Sequence, residues 1–302
     1  MILLAGLTRD RTLMHTAAIA QQTRVSFQFL DLAAFCESGE WEWDFDSGTG
    51  VIMAGGSVFD FRNDAFSGVY ARLVDVSSTQ ILDRRIWSSR TRVLQEMLQS
   101  ARCRVVNRPQ ADLTNSAKLY QLFLLAQCGF DVPESMLSND ARWVRQLAQP
   151  GRTIYKGASS QCTIAAMLHE EDLEGLDRLV ASPVLFQEFL AGRDLRLHMV
   201  EDAPFAELIE KRPDQVDYRF SSGCRFEPFD PPAYLVKQCR SYMALSGLSF
   251  VGFDFIVRNS GEIVVLEANP MPGYDGYDRR ANHAISHALL ACLSAPAFSC
   301  IR

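Results

Sequence analysis

The sequence lacks the long apolar runs that membrane-spanning helices need. Its 302 residues contain no uninterrupted apolar stretch of the roughly 18 residues expected for a bilayer crossing. The first ten residues, MILLAGLTRD, form too short an apolar segment for a signal peptide. We therefore expect a protein of the cytoplasm that has no membrane partner.

The chain also lacks an excess of basic residues. It carries 30 lysines and arginines against 36 aspartates and glutamates, which gives a formal net charge of −6 and a pI near 5.5. Proteins that bind nucleic acids generally carry a basic excess, because they neutralise phosphates. We therefore expect no nucleic-acid partner.

Cysteine and histidine spacings typical of metal or nucleophile motifs are missing as well. None of the eight cysteines forms C-x-x-C, and none is spaced from histidines as zinc ligands are. We interpret them as scattered thiols in a reducing compartment. His283 and His287 lie four residues apart on one predicted helix, but Ala284 stands where a zinc protease has glutamate. We interpret both histidines as surface or packing residues.

What is present is typical of a globular chain with about two domains, judged by length. The hydrophobic fraction is 48% and the charged fraction 22%. Up to about residue 108, short apolar runs alternate with helical segments, and Asp10 is placed to cap the first helix. This β-α-β rhythm predicts an open α/β sheet. The segment WEWDFDSGTGVIMAGG predicts a two-stranded ribbon that turns at Ser47 and Gly48.

The pattern changes after Pro109. A helix is predicted from about 116 to 128, capped by Thr114, Asn115 or Ser116. Beyond it, we predict these elements in order: strand RTIYKG, helix TIAAMLHEEDLEGLDRLV, strand PVLFQEFL, hairpin GRDLRLHMVED–APFAELIEKR, helix AYLVKQCRSYMALSG, hairpin SFVGFDFIVRNSGEIVVLEANP and helix RRANHAISHALLACL.

The last hairpin carries polar side chains where an apolar strand should have none. Asp254 lies inside one strand, Glu267 ends its partner, and Asn269 follows two places later. A turn at 259–261 brings position 254 opposite 266 or 267, and side chains two apart share a face. Each acid alone is explained as a satisfied buried group or a strand-end surface charge. Two carboxylates together would repel each other without a cation, and with an amide oxygen they suit Mg²⁺.

The turn after this strand is rigid. Pro270 and Pro272 restrict the backbone, and Gly273 allows close approach to a ligand. A helix that follows would direct its N-terminus at the site, which suits an anion. An ordinary strand-to-helix turn explains the same residues equally well.

The motifs VGFD (251–254) and LEANPMPG (266–273) resemble those of the ATP-grasp superfamily. The resemblance is strongest to the ligases that add glutamate to a ribosomal protein and to related peptide maturases, and it covers roughly residues 107–290. It implies an α/β (α+β) fold, in which an N-terminal open α/β domain precedes a two-lobed ATP-grasp unit. The implied division is 1–109 for the first domain, 110–190 for the nucleotide-binding small lobe and 191–302 for the large lobe with the metal and substrate sites.

The resemblance also implies roles for residues that would bind ATP. Lys118 and Lys156 would contact phosphates, and Asp194 would accept the ribose hydroxyls. In LFQEFLAGRDLRL, the free backbone groups of a hinge segment would pair with adenine. That segment comprises Gln187, Glu188, Phe189 and Leu190. The loop after Lys156 should be rich in glycine to wrap phosphates, but GASSQCT has a single glycine.

Catalysis would fall to two arginines, since an arginine fork matches a phosphoryl group. These are Arg196 and Arg219, with Asp254, Glu267 and Asn269 holding Mg²⁺ or Mn²⁺ and with Gly273 and Tyr274 beside the substrate. The implied activity is a carboxylate–amine ligase that forms an acyl phosphate from ATP and acts on an amino acid, peptide or protein. Ligases of this kind are often dimers or tetramers, so a homo-oligomer is a further expectation. Two alternatives stay open at this point: an ATP-grasp phosphotransferase acting on hydroxyls, and a non-catalytic nucleotide- or peptide-binding module.

Overall fold

The computed structural model describes residues 1–73, 84–111, 117–157, 165–181, 184–210 and 223–295. Within these ranges the chain forms two four-stranded sheets, one five-stranded sheet and one three-stranded sheet, with helices between them. The mixed α/β architecture predicted from the sequence is therefore confirmed. None of the helices in the described ranges is both long and apolar enough to cross a membrane.

A parallel sheet forms the N-terminal part of the chain. Its strands, in spatial order, are β2 (Phe27–Asp31), β1 (Ile2–Gly6), β6 (Gly68–Arg72) and β7 (Arg104–Val106). All five residues of β1 are buried, as expected for a central strand covered on both faces. The predicted open α/β sheet is confirmed.

Helices cover both faces of this sheet. One face packs against α2 (Leu32–Ser38) and α3 (Arg84–Ser100), and the other against α1 (Arg11–Gln22) and the last helix, α8 (Ala284–Ser294). Asp10 caps α1 as predicted, because its carboxylate accepts from the backbone N–H groups of Thr12 and Leu13 at 2.9 and 3.0 Å. The C-terminal helix therefore returns to the N-terminal sheet.

The predicted two-stranded ribbon has a third strand. Its strands are β3 (Glu40–Asp44), β4 (Thr49–Ala54) and β5 (Ser57–Asp60). Gly55 and Gly56 have φ values of 56° and 75°, a left-handed conformation that glycine adopts readily. These two glycines make a second tight turn at the end of the segment that was predicted to form two strands, and β5 follows this turn.

An antiparallel sheet lies in the middle of the chain. In spatial order it comprises β10 (Ala166–Met167), β9 (Thr153–Gly157), β11 (Val184–Glu188) and β8 (Ser135–Ser138). The apolar residues of one face pack against α5 (Ala141–Leu147) and a 3₁₀ helix (Glu170–Ala181). The α-helix predicted for TIAAMLHEEDLEGLDRLV is wrong, because Ala166 and Met167 pair with β9 as a strand and Gly175 disfavours a regular α-helix in the following residues.

The largest sheet has five antiparallel strands. In spatial order they are β14 (Arg225–Pro228), β13 (Ala203–Glu210), β12 (Arg193–Val200), β15 (Phe250–Val257) and β16 (Ile263–Asn269). Both predicted hairpins are confirmed. Its apolar face packs against α4 (Lys118–Gln127) and α6 (Ala233–Ser246). The predicted caps for α4 are 114–116, which lie outside the described residues, and the helix itself begins at Lys118 after Ala117.

The predicted last helix is interrupted. It is preceded by a short helix, α7 (Asp275–Arg280), and the two helices are separated by Asn282 and His283, which have φ values of 51° and 64°. A left-handed residue cannot continue a right-handed helix, so α8 starts afresh at Ala284. The interruption turns the chain and brings His283 close to α7.

Candidate active site

A row of charged side chains crosses the uncovered face of the largest sheet. The strand register places Glu207 of β13 beside Arg196 of β12, Arg196 beside Asp254 of β15, and Asp254 beside Glu267 of β16. Directly paired residues of antiparallel strands project to the same face. A register shift between Asp254 and Phe255 sets the two acids opposite each other. The prediction that Asp254 faces position 266 or 267 is confirmed.

Cations occupy both ends and the middle of the row. Lys118 Nζ lies 3.0 Å from Glu267 Oε2, and Arg196 Nη1 lies 2.6 Å from Asp254 Oδ2. At the other end, Arg280 donates to Glu207 through Nη2 at 2.7 Å and through Nε at 3.0 Å. Along the row the charges alternate except at Asp254 and Glu267. Between these two carboxylates an added cation would relieve repulsion.

Asn269 lies next to this pair, on the same face. It pairs with Gly252, two residues from Asp254 on β15, while Asn269 is two residues from Glu267 on β16. In the structure its Oδ1 accepts from the backbone N–H of Met271 at 2.9 Å, and an amide oxygen has a second lone pair. Two carboxylates and an amide oxygen on neighbouring strands form the hard-oxygen set that fits Mg²⁺ or Mn²⁺.

Lys156 lies on the face of the middle sheet that points away from the apolar core of that sheet. Tyr155 and Phe186 pair across β9 and β11 and belong to that core. Lys156 pairs with Leu185, and Gln187 lies two residues along, so both side chains project from the other face. Gln187 is buried and its Nε2 donates to Ser135 Oγ at 2.9 Å. Only its backbone could then serve a nucleotide.

Two backbone N–H groups of the predicted hinge segment form hydrogen bonds within the protein. The backbone N–H of Glu188 donates to Glu134 O at 2.9 Å, and that of Phe189 donates to Arg152 O at 2.8 Å. The expectation of free backbone groups from Glu188 to Leu190 is therefore wrong for these two donors, because the neighbouring segments close the sheet around them.

An apolar patch continues from the hinge along the charged face. Leu190 packs with Ile256 and Val264, and Leu266 lies against them. Asp194 pairs with Ile256 across the sheet and is buried. An apolar surface beside a buried carboxylate suits a nucleotide base and its ribose. The predicted contact of Asp194 with the ribose is compatible with this arrangement.

Two parts of the predicted site lie outside the described residues. They are Arg219, within 211–222, and the loop after Lys156, at 158–164. The structure brings together the other arginine, Arg196, with Lys118 and the three metal candidates on one face. These residues come from three separate segments of the chain, so the grouping arises from the fold.

Comparison with curated proteins gives relatives of part of the chain, while no protein-family model matches it. The sequence is 27% identical over 199 residues to beta-citrylglutamate synthase B of Danio rerio, which covers 60% of this chain and 48% of that protein. It is 24% identical over 203 residues to N-acetylaspartylglutamate synthase A of Homo sapiens, which covers 61% of this chain and 51% of that protein. The chain thus spans about half the length of the curated relatives it matches.

Solved structures match nearly the whole chain. The structure of the ATP-grasp ligase PsnB complexed with a minimal precursor superposes with a TM-score of 0.80 and 26% identity over 97% of both chains. The chain therefore has the fold of the ATP-grasp ligases. The macrocyclase MdnC from Microcystis aeruginosa MRC, bound with precursor peptide MdnA, gives a TM-score of 0.81 at 20% identity, covering 98% of this chain and all of that one. The resemblance and the fold predicted from the sequence are confirmed.

His198 contacts Arg196 and is a residue of this site that was not predicted from the sequence. His198 lies two residues from Arg196 on β12, and Arg196 Nε lies 3.2 Å from His198 Nε2. Gly252 makes room for this contact, since a Cβ there would lie 2.2 Å from Arg196 Nη2 and 2.8 Å from Pro272 Cβ. The alternation of β12 does place His198 on the face of Arg196 and Asp194, and that periodicity could have identified it.

We expect His198 to make the stability of the protein depend on pH. Burial lowers its pKa well below the usual 6.5, with a further lowering by Arg196 and Arg280 against a backbone hydrogen bond with Gly273. Below about pH 6.5 the unfolded chain takes up a proton here and the folded chain does not. The free energy of unfolding should fall as the pH decreases from that value, by at most about 1.4 kcal/mol per pH unit. Denaturant unfolding between pH 7 and pH 5 measures this slope.

The matched variants separate His198 from other histidines. His198→Gln should flatten the slope, while His287→Gln, at an exposed position of α8, should leave it unchanged. Equal slopes in the wild type and the His198→Gln variant would show that His198 is not the group that titrates.

The turn that follows β16 differs from the prediction for Tyr274. Gly273 is exposed and bonds the His198 ring through its backbone. Tyr274 is fully buried, and its hydroxyl lies 2.6 Å from Thr16 Oγ1 on α1. Tyr274 therefore holds the turn against α1 and cannot line an open substrate pocket. Tyr277 is the tyrosine nearer the site, with its ring 4.8 Å from that of His198.

The predicted anion site at the following helix is also corrected. That helix, α7, has six residues and carries Asp275 and Asp278 in its first turn. Two carboxylates at a short N-terminus disfavour an anionic ligand. Asp275 instead accepts from Thr12 Oγ1 at 3.2 Å, so this end of α7 contacts α1.

Proposed function

We propose that the protein is an ATP-dependent carboxylate–amine ligase. It would form an amide bond through an acyl phosphate, converting ATP to ADP and phosphate. The observation that carries this proposal is the charged row, in which Asp254 and Glu267 are adjacent while Arg196 and Lys118 flank them. Phosphoryl transfer needs a metal position with cations around it more than it needs a covalent nucleophile.

The same residues divide into a nucleotide side and a reaction side. Asp254, Glu267 and Asn269 would hold Mg²⁺ or Mn²⁺, and the ion, when bound, neutralises phosphate charge. Lys156 would meet the phosphates from the middle sheet, and Asp194 would accept the ribose hydroxyls. Adenine would lie on the apolar patch around Leu190 and pair with backbone carbonyl oxygens of the hinge segment and with the N–H of Leu190.

We propose that Arg196 acts on the transferred phosphoryl group. A carboxylate oxygen of the acceptor attacks the γ-phosphorus of ATP, the bond to the β-phosphate oxygen breaks, and ADP leaves. Arg196 would donate to the phosphoryl oxygens as their charge is redistributed. An amine then attacks the acyl carbon, loses a proton to solvent or a nearby base, and expels phosphate. We propose that Arg219 assists the same step from the segment 211–222.

A peptide is the acceptor that we propose in the first place. PsnB and MdnC, in complexes with a minimal precursor and with precursor peptide MdnA, match 97% and 98% of this chain. This similarity to peptide-bound ligases along nearly the full chain supports a precursor peptide as the acceptor.

Hydroxylamine trapping tests the proposed activity. Purified protein would be incubated with Mg-ATP, hydroxylamine and a pool of amino acids, carboxylates and acidic peptides, and the nucleotide products and hydroxamate would be quantified. We expect ADP together with hydroxamate, both lost in the Glu267→Gln variant. Formation of AMP would contradict the proposal, since it indicates adenylation. ADP without hydroxamate would instead support phosphotransfer to a hydroxyl, and ATP binding without any product would support a binding module.

A further inference from the structure

A second cluster of metal-ligating side chains lies outside the charged row. His15 of α1, Asp278 of α7 and His283, between α7 and α8, offer ligand atoms that all lie within 4.8 Å of one another. His15 Nε2 is 2.7 Å from Asp278 Oδ2, and His283 Nδ1 is 3.5 Å from the same oxygen. The cluster therefore joins the N-terminal domain to the segment that follows the turn of the active site.

The carboxylate at the centre of the cluster is held in place. Asp278 is fully buried, and Ser286 donates to it twice, from its backbone N–H at 2.9 Å and from its hydroxyl at 2.5 Å. Its own backbone oxygen accepts from the N–H of His283 at 2.7 Å. Carboxylates and histidines that bind metals are commonly oriented by such outer hydrogen bonds.

His283 is brought to this carboxylate by an uncommon backbone conformation. Its φ is 64°, a left-handed value that a non-glycine residue adopts only when the surrounding structure requires it. Within the described residues, its Nδ1 is buried and has no hydrogen-bond partner. The rest of the side chain is 37% exposed, which leaves an approach from solvent. An inward-facing nitrogen with a lone pair and an open side suits an arriving cation.

We propose that His15, Asp278 and His283 bind a divalent transition-metal ion of the Zn²⁺ type. Two imidazole nitrogens and one carboxylate oxygen are a ligand set for zinc and its neighbours, whereas Mg²⁺ prefers oxygen. Zinc ligands at about 2.0–2.1 Å in a tetrahedron lie about 3.3 Å from one another. The separations of 2.7 and 3.5 Å from the Asp278 oxygen lie on either side of that value, and the two imidazole nitrogens lie within 4.8 Å of each other. Because the His283 side chain is 37% exposed, a water molecule from solvent would complete the tetrahedron.

The bound ion links α1 to α7 and α8. It is separate from the proposed magnesium position, because the two sites differ in ligand type and share no residue. A site of this kind stabilises the native protein without taking part in ATP turnover, since the folded state binds the ion and the unfolded state lacks the cluster. The competing explanation is a buried His15–Asp278 ion pair that needs no metal.

Cobalt titration of the full-length protein distinguishes the two explanations. The protein would be treated with a chelator, dialysed and titrated with Co²⁺ in the presence of Mg²⁺. We expect one Co²⁺ per chain with visible absorption typical of tetrahedral nitrogen and oxygen ligation, its displacement by Zn²⁺, and a higher melting temperature with either ion. His283→Ala, at a half-exposed position, should weaken Co²⁺ binding at least about tenfold and keep the native circular-dichroism spectrum.

His287→Ala provides the matched control. His287 lies one turn further along α8, is exposed, and is not part of the cluster. This variant should bind Co²⁺ like the wild type. The proposal is overturned if the wild type binds no more Co²⁺ than His283→Ala does, or if His287→Ala loses binding to the same extent.

Discussion

Replacement of Glu267 by glutamine should reduce the rate of ADP formation by at least about 10³-fold. A metal ion contributes several kcal/mol to stabilising transition-state charge, and each 1.36 kcal/mol corresponds to about a factor of ten in rate. Glutamine keeps the size of the side chain but removes the negative charge that adjoins Asp254 and pairs with Lys118. Steady-state ADP release at saturating Mg-ATP, with the substrate pool that supports turnover, measures the effect.

The control for this prediction lies on the same hairpin. Glu262 is exposed near the turn before β16, so Glu262→Gln should keep the wild-type rate. Unfolding midpoints should be similar for the two variants, because loss of the ion pair with Lys118 is offset by relief of the repulsion between Asp254 and Glu267. A Glu267→Gln rate within tenfold of the wild type would remove Glu267 from the metal site.

Replacement of Arg72 by methionine should destabilise the protein by about 3–5 kcal/mol. Arg72 Nε donates to Asp10 Oδ2 at 2.8 Å, and both side chains are less than a tenth exposed, at 8% and 9%. Its Nη1 also donates to the backbone oxygen of Pro272 at 2.9 Å. Methionine would leave the Asp10 carboxylate buried without its cation and would free the turn after β16 from the N-terminal sheet. Urea unfolding followed by circular dichroism measures the loss.

An exposed ion pair supplies the comparison. Arg62 pairs with Asp60 at 2.9 Å, with side chains 56% and 40% exposed, and such pairs are screened by water. Arg62→Met should therefore leave the urea midpoint at the wild-type value. If Arg72→Met unfolds at the same urea concentration as Arg62→Met, the buried Arg72–Asp10 pair does not stabilise the fold.

The juxtaposition of Asp254 and Glu267 could be predicted, because it depends on residues that are close together in the sequence. The turn at 259–261 and the alternation of β15 and β16 fix which residues face each other, so Asp254 and Glu267 were placed together from the sequence. The bulge between Asp254 and Phe255 determines that Asp254 pairs with position 267 and not with position 266. No residue type in the hairpin predicts this bulge. The resemblance to ATP-grasp motifs then supplied roles that spacing alone could not.

The predictions that were wrong concern residues whose surroundings depend on contacts with distant parts of the chain. Tyr274 was assigned to the substrate, but it is buried against Thr16, which lies 258 residues away in sequence. The N–H groups of Glu188 and Phe189 are taken by segments that begin far upstream, at Glu134 and Arg152. His198 and Arg280 join the site through pairing between separate elements. Local patterns cannot show which element will pack next to a given strand.

Transfer of ¹⁸O from the acceptor to phosphate tests the central claim most directly. The carboxyl groups of an acceptor mixture that supports turnover would be labelled with ¹⁸O, and the products of Mg-ATP turnover would be examined by ³¹P NMR. An acyl phosphate requires one labelled oxygen to appear in inorganic phosphate, with ADP as the other product, and we predict this result. Label in AMP, or unlabelled phosphate beside ADP, would contradict the assignment of the protein as an acyl-phosphate ligase.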